Sequence, residues 1–120
     1  MAYLAGESGK DVDAFELALA AEEAVLPPAV FAEVMSAPEA DATTAALLDN
    51  LRMLPIIDGY WVRVGGVRRV MRRHGRRARL GDALISQSCL DHNVPLITRD
   101  QDFRSYAQHC GLKLALDNSG

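Results

Sequence analysis

Short apolar runs that alternate with helical patterns restrict the fold of this chain more than any other feature of its sequence. The apolar runs occupy residues 24–26, 55–57, 94–98 and 112–116. Helical spacing of apolar side chains fills the segments around them, at residues 11–23, 28–37, 39–54, 59–74, 80–92 and 100–110. Helices that alternate with strands act as crossovers and favour parallel pairing. The sequence therefore predicts an α/β fold with a mainly parallel sheet.

Local signals mark where several of these helices begin and end. Pro28 suits a first helical turn, because the N–H that it lacks would have no helical partner there. Gly75 is suited to end the helix over residues 59–74, and Asn93 to end the helix that follows. These signals place the helix boundaries independently of the apolar spacing.

The composition favours one compact domain over residues 1–120 and excludes several classes of protein. The chain has 120 residues, of which 49% are hydrophobic, and this suits a single core. Its two cysteines do not make a disulfide scaffold, and its three histidines lack the spacing of a zinc site. We see neither an apolar run of about 18 residues nor the pattern of a secretory leader. We therefore expect a protein of the reducing cytoplasm without a membrane partner.

The charges are unevenly distributed along the chain. The net charge is only -3, yet residues 1–49 hold ten acids and one base, whereas residues 50–120 hold twelve bases and six acids. Eight of the eleven arginines lie between Arg63 and Arg79. An asymmetry of this kind indicates a basic surface whose partner is a polyanion.

This arginine run has two interpretations. One is a solvated helix face followed by a loop. The other is a phosphate-binding surface, because guanidinium groups bind phosphate oxygens in a bidentate manner. Aromatic side chains for base stacking are few, since Tyr60 and Trp61 precede the run and we expect Trp61 to lie in the core. The second interpretation assigns contacts with the phosphates of a nucleic acid to Arg72, Arg73, Arg76, Arg77 and Arg79.

Four acidic residues are expected to converge at the edge of the sheet where the carboxyl ends of parallel strands place ligands. Asp100 and Asp102 follow the strand over residues 94–98, Glu33 lies in the helix after the strand over residues 24–26, and Asp82 opens the helix over residues 80–92. Carboxylates gathered in this way repel one another, and a divalent cation relieves the repulsion. Oxygen ligands suit Mg²⁺ or Mn²⁺, and metal-assisted hydrolysis of a phosphodiester is the matching chemistry.

Each of these acids also has an ordinary structural explanation. Asp82, in a first helical turn, is stabilised by the helix dipole. Asp100 suits a helix N-cap, with Asp102 in the first turn behind it. Glu33 is explained as a solvated helix residue. Taken singly, none of them identifies a site.

Three segments carry these acids in a recognisable pattern. Residues 26–33 read LPPAVFAE, residues 75–85 read GRRARLGDALI, and residues 90–103 read LDHNVPLITRDQDF. The last two resemble the C-terminal half of PIN-domain ribonucleases, and most of all the VapC toxins of bacterial VapBC toxin–antitoxin pairs. The first segment is similar to the second acidic motif of that family. With the motifs in the family's order, the resemblance covers nearly the whole chain.

The resemblance implies a three-layer α/β/α fold and an endoribonuclease that depends on Mg²⁺ or Mn²⁺. It implies that Glu33, Asp82 and Asp100 are catalytic and hold the metal, with Asp102 as an additional acid beside it. It also implies an RNA substrate, a homodimer, and neutralisation by a small antitoxin protein. Two alternatives stay open: a catalytically impaired PIN module that binds antitoxin or RNA without cleavage, and a nuclease of RNA maturation that has no antitoxin.

The resemblance begins part-way into the family's pattern. Members open with an apolar strand that ends in a metal-binding aspartate, and a short helix follows. Met1 corresponds to a position inside that helix, and Asp11 and Asp13 lie too far along to replace the first acid. Since that strand is central to the family's sheet, we expect unpaired strand edges, low stability as a monomer and weak metal affinity. We hypothesise that Met1 is a downstream start or that the sequence is truncated.

Overall fold

The computed structural model describes residues 2–3, 25–38, 40–98 and 100–115, and its strands and helices alternate along the chain. The strands are β1 (Ala2–Tyr3), β2 (Val25–Leu26), β3 (Arg52–Met53) and β4 (Leu96–Ile97). The helices are α1 (Pro28–Met35), α2 (Ala42–Asp49), α3 (Tyr60–Arg73), α4 (Leu80–His92) and α5 (Phe103–Cys110). None of these helices has the length and apolar character needed to cross a membrane. The helix predicted over residues 11–23 lies outside the described residues.

The four strands form one parallel sheet in the order β3-β2-β1-β4. A parallel bridge between Leu96 and Leu114 extends the β4 edge. This bridge is all that the strand predicted over residues 112–116 contributes within the described part of the chain. The predicted α/β fold with a mainly parallel sheet is confirmed.

The centre of the sheet is occupied, which differs from the expectation of unpaired strand edges. Ala2 pairs with Val25 of β2 and with Leu96 of β4, so β1 lies between these two strands. A gap there would leave backbone N–H and C=O groups of both neighbours without partners, and β1 supplies the partners. Among the described residues, β1 therefore occupies the position between β2 and β4 at which a gap was expected.

Helix α2 is shorter than the helix predicted over residues 39–54. The carboxylate of Asp41 accepts a hydrogen bond from the Thr44 N–H at 2.9 Å, which makes Asp41 the N-cap. At the other end, the Asn50 N–H is bonded to the Leu48 carbonyl. The apolar spacing alone could not locate this cap, because it continues on both sides of the helix.

The strand predicted over residues 55–57 is replaced by β3 at Arg52–Met53. The Leu54 N–H donates to the Leu26 carbonyl at 2.9 Å, and Pro55 directly after it has no N–H to offer. Ile56 and Ile57 are exposed instead of buried in the sheet. The apolar character of residues 55–57 therefore predicts a strand where the structure has an exposed loop.

Trp61 lies on the surface, so its prediction as a core residue is wrong. Its side chain is 68% exposed, whereas its neighbour Tyr60 is 3% exposed. Tyr60 shares its side of α3 with the buried Val64 and Met71, and a step of one residue turns Trp61 away by about 100°. The Tyr60 hydroxyl donates to the Leu84 carbonyl of α4 at 2.6 Å, which anchors this end of α3.

Helix α4 was predicted with both of its ends, residues 80–92. Asn93 closes it in the left-handed conformation, with φ of 52°. The helix packs against α1, α3 and α5. Its buried residues are Ala83, Ile85, Ser86, Gln87, Ser88 and Cys89. Helix α4 is thus the centre of the helical packing and holds Asp82 in its first turn.

Arg63 joins α3 to the end of α4. Its Nε and Nη2 atoms donate to the two carboxylate oxygens of Asp91 at 2.8 and 2.7 Å, and its Nη1 donates to the Asp58 carbonyl at 2.9 Å. The bidentate pair lowers the pKa of Asp91, with the hydrogen bond from Arg63 as the largest cause. Arg63 is therefore engaged within the protein, and the basic surface begins further along α3.

Candidate nuclease site

Asp82 is the electrostatic centre of the predicted acidic site. It is half-buried near the start of α4, and its pKa is raised from 3.8 to about 6. Burial is the largest cause, and the negative charges of Asp100, Asp102 and Glu33 add to it. Arg79 acts in the opposite direction. All four predicted acids therefore act on one region of the fold, although they come from three separate segments.

Glu33 reaches this region from α1, on the helix that follows β2. It is exposed, and its Oε1 atom lies 3.2 Å from the position that a Cβ on Gly81 would take. Since Gly81 directly precedes Asp82, the Glu33 carboxylate lies against the first turn of α4. The missing side chain of Gly81 is what leaves room for it.

Asp100 and Asp102 lie in the turn between β4 and α5. The Asp100 N–H donates to the Thr98 hydroxyl at 3.0 Å, and the Asp100 carboxylate accepts the Asp102 N–H at 2.9 Å. Helix α5 starts at Phe103, so Asp102 occupies the N-cap position that was predicted for Asp100. The Asp102 side chain makes no capping hydrogen bond. Its carboxylate is therefore not engaged by the helix that it precedes.

A cavity of about 290 Å³ joins two of these acids to two predicted RNA contacts. Its lining residues, which we call the acid cavity, are Arg76, Arg77, Asp82, Gln101, Asp102 and Ser105. Carboxylates that favour a cation and guanidinium groups that favour phosphate thus share one concave surface. Sequence reasoning missed Gln101 and Ser105, although the position of Ser105 one helical turn after Asp102 was a usable signal.

A second groove runs along α3. It encloses about 430 Å³, and its lining residues, the arginine groove, are Gly65, Arg68, Arg69, Arg72 and Arg73. Four guanidinium groups at helical spacing line it, and the absent side chain of Gly65 keeps it open. All five predicted RNA contacts are exposed, with Arg72 and Arg73 here, Arg76 and Arg77 in the acid cavity, and Arg79 beside Asp82.

Two buried hydroxyl groups near the acids have no hydrogen-bond partner among the described residues. They belong to Ser86, one turn after Asp82, and to Tyr106. The pKa of Tyr106 is raised to about 12, first by burial and then by the charge of Asp82. Its phenol therefore stays protonated at neutral pH and lies within electrostatic range of the site.

The four acids suit a divalent cation in chemistry but do not enclose one. Carboxylate oxygens are the ligands that Mg²⁺ and Mn²⁺ prefer, and a cation would relieve the repulsion that raises the pKa of Asp82. Within the described residues, however, no three His, Cys, Asp or Glu side chains form a group that could hold a metal ion. The predicted convergence is therefore electrostatic, and the described acids fall short of a complete ligand set.

The histidines contribute a contact that sequence reasoning missed. The rings of His74 and His109 are stacked, with centroids 3.9 Å apart and an angle of 18° between their planes. The two residues are dispersed in the sequence, and the contact arises because the C-terminal ends of α3 and α5 meet. No local pattern indicates such a contact.

Comparison with known proteins agrees with this arrangement. The family model described as PIN domain matches residues 1–108, which is most of the chain. No curated protein matches it significantly. The match includes all three acid-bearing segments, and proteins of this family are generally metal-dependent nucleases. The parallel sheet, the acids around Asp82 and this match together show that the chain belongs to the PIN domain family.

Proposed function

We propose that this protein is an endoribonuclease that depends on Mg²⁺ or Mn²⁺ and hydrolyses phosphodiester bonds of RNA. The observation that carries the proposal is the acid cavity. It joins Asp82, whose pKa is raised to about 6 by burial and by three further acids, to the guanidinium groups of Arg76 and Arg77. This combination suits a reaction in which a polyanion must be bound close to a cluster of carboxylates.

In the proposed mechanism Glu33, Asp82 and Asp100 would hold the metal, with Asp102 assisting. A bound Mg²⁺ or Mn²⁺ supplies Lewis-acid stabilisation of the phosphodiester and lowers the pKa of water. Asp82 is suited to this role because it is half-buried, which strengthens its electrostatic interactions relative to those of an exposed carboxylate. Glu33 approaches from a different helix and the Asp100 turn from a third segment, so the acids lie around the substrate position from several sides.

The arginines would hold the RNA backbone. Arg76 and Arg77 line the acid cavity itself and would contact the oxygens of the phosphate that is cut. The arginine groove on α3 would bind neighbouring phosphates of the same strand. Because these contacts release counterions, we expect RNA affinity to fall steeply as the salt concentration rises.

Dependence on a divalent metal is the direct test of the proposed reaction. The purified chain is expected to cut single-stranded RNA in Mg²⁺ or Mn²⁺, to stop when EDTA is added, and to resume when excess metal is restored. Gel analysis of an end-labelled RNA measures this. Cleavage that EDTA leaves unchanged would contradict the metal dependence.

The second candidate is a catalytically impaired PIN module that binds RNA or an antitoxin without cleavage. The absence of a three-ligand metal group among the described residues favours it. The same gel experiment separates the two candidates. RNA that is bound but stays intact at every metal concentration supports the impaired module.

We also propose that the protein acts in the cytoplasm as the toxin of a type II toxin–antitoxin pair, as a homodimer neutralised by a small antitoxin protein. The three acid-bearing segments that resemble VapC toxins support this. An exposed apolar surface at the start of α3 is suited to a protein partner, since large exposed apolar patches mark interaction sites. It is formed by Ile56, Ile57, Trp61 and Val62.

Gly81 offers a test of the proposed role of Glu33. Gly81→Ala is expected to reduce cleavage while stabilising the protein by up to about 1 kcal/mol, the propensity gain of alanine over glycine in a helix. The new Cβ would lie 3.2 Å from Glu33 Oε1, so the carboxylate must move by a few tenths of an ångström. Cleavage rates and thermal unfolding of the two proteins measure both effects.

Gly66, which lies in α3 but lines neither the arginine groove nor the acid cavity, provides the matched control. Nothing lies within 4 Å of the position that its Cβ would take, so Gly66→Ala gains helix propensity without touching an acid. Equal cleavage by the parent and Gly81→Ala would show that the position of the Glu33 carboxylate does not matter for the reaction.

A further inference from the structure

The His74–His109 stack lies between the two arginine-lined surfaces. His74 caps the C-terminal end of α3, directly after Arg72 and Arg73 of the arginine groove. Gly75 separates it from Arg76 and Arg77 of the acid cavity. An RNA strand that contacts both Arg72 and Arg73 on one side and Arg76 and Arg77 on the other would therefore pass close to the stack.

One side of α5 connects the stack to the acids. Asp102, Ser105 and His109 are three and four residues apart, and residues at this spacing share a helix face. Asp102 and Ser105 line the acid cavity, whereas His109 contacts His74. Seven residues of helix span about 10 Å, a distance that a short stretch of extended RNA bridges.

The stack presents an accessible aromatic surface. His109 covers one face of the His74 ring at a centroid distance of 3.9 Å, yet His74 as a whole is exposed. His109 is partly buried, and its Nε2 atom is buried without a partner among the described residues. His109 thus packs against one face of the His74 ring, while the His74 residue remains exposed to solvent.

We propose that His74, supported by His109, is a stacking platform for an unpaired nucleobase of the RNA. This inference rests on the proposed function, and it adds a base contact to the phosphate contacts assigned above. Proteins bind single-stranded RNA by combining basic grooves with aromatic side chains on which bases stack, and histidine is among those side chains. Because the His74–His109 stack lies between the arginine groove and the arginines of the acid cavity, this surface has both the basic groups and the aromatic ring.

The surroundings of His109 favour its uncharged form. The pKa of His109 is lowered, with burial as the largest cause, followed by His74 and Arg76. An uncharged His109 can remain in contact with the His74 ring, whereas two cationic rings would repel each other.

The test measures RNA binding separately from cleavage. The full chain is titrated in EDTA against a fluorescein-labelled single-stranded RNA of eight nucleotides, and against versions with one abasic position each. His74→Ala is expected to raise the Kd about tenfold, in line with the 1–3 kcal/mol that stacking contributes per base. His74→Phe, which keeps an aromatic ring, is expected to bind nearly as well as the parent.

The abasic RNAs identify the contact. At one position the missing base should weaken binding to the parent about tenfold and leave binding to His74→Ala unchanged, because both changes remove the same interaction. Gln108 is exposed on α5, next to His109 in the sequence, and Gln108→Ala is the control that should leave every Kd unchanged. A DNA oligonucleotide of the same sequence should show the same dependence on His74, since the proposed contact involves the base and not the ribose.

Two results would overturn the inference: identical Kd values for the parent and His74→Ala, or His74→Phe binding as weakly as His74→Ala. Its failure can be told apart from failure of the proposed function. If the parent binds RNA through His74 but never cuts it, the stacking platform stands and the nuclease assignment falls. If RNA is cut and the Kd does not depend on His74, the nuclease assignment stands and the stacking platform is wrong.

Discussion

Replacing Asp82 with asparagine is expected to abolish RNA cleavage and, at the same time, to make the protein more stable. Asparagine keeps the size of the side chain but removes the negative charge on which the proposed metal site depends. The same charge is unfavourable for folding, because Asp82 is half-buried and faces three other acids. One substitution should therefore move activity and stability in opposite directions.

The sign of the stability change follows from the pKa. The pKa of Asp82 is about 6 in the folded chain, against 3.8 for an unperturbed aspartate as in the unfolded chain. The folded chain therefore binds this proton more tightly than the unfolded chain does. Stability should therefore decrease as the pH rises from about 4 to about 6 and stay at the lower level above that range. The shift corresponds to about 3 kcal/mol at 1.36 kcal/mol per unit, and solvent screening of a half-exposed group reduces this to about 1 kcal/mol.

Thermal unfolding and RNA cleavage measure the two effects. At pH 7.5 Asp82→Asn is expected to unfold about 4 °C above the parent, and its stability should lose most of the dependence on pH between 4 and 6. Asp58→Asn, an exposed change outside the acid cavity, is the control for both measurements. In growing cells, expression of the parent should arrest growth, and Asp82→Asn should relieve the arrest.

Either of two outcomes would contradict this account. If Asp82→Asn cuts RNA at the rate of the parent, Asp82 is not needed for the reaction. Asp82→Asn that unfolds at a lower temperature than the parent would mean that the carboxylate makes a favourable interaction in the folded chain.

The sequence predicted those elements whose boundaries are encoded locally. Helix α4 was located with both ends, because its apolar spacing is continuous and Asn93 takes the left-handed conformation after it. Pro28 likewise lies in the first turn of α1. The errors occurred where apolar residues are exposed. Ile56, Ile57 and Trp61 have the composition of a core but lie on the surface, and composition alone cannot distinguish a buried apolar run from an exposed one.

The site was predictable in part for a similar reason. Glu33 and the Asp100 turn each follow a strand of a parallel sheet, so topology alone brings them to the same edge. The distances between carboxylates depend on side-chain packing, and the described acids do not close into a three-ligand group. The His74–His109 contact could not be predicted at all, because it depends on how α3 crosses α5.

The largest loss of stability is expected for Phe103→Ala. Phe103 is fully buried at the start of α5, directly after Asp102, and its ring lies 6.1 Å from that of Tyr106. Truncation of a buried phenylalanine to alanine costs about 3–5 kcal/mol, a large share of the 5–15 kcal/mol that stabilises a typical domain. The midpoint of thermal unfolding should fall by about 15 °C or more.

Phe103→Ala and Asp82→Asn should therefore both lose RNA cleavage, although the first is expected to be less stable than the parent and the second more stable. Phe103 anchors the helix that carries Asp102 and Ser105, so its loss disorders one wall of the acid cavity. Circular dichroism during heating should show early unfolding for Phe103→Ala and late unfolding for Asp82→Asn. Phe103→Leu keeps most of the buried volume and is the matched control, with a cost below about 1.5 kcal/mol. If Phe103→Ala unfolds within a few degrees of the parent, Phe103 is not the anchor of α5.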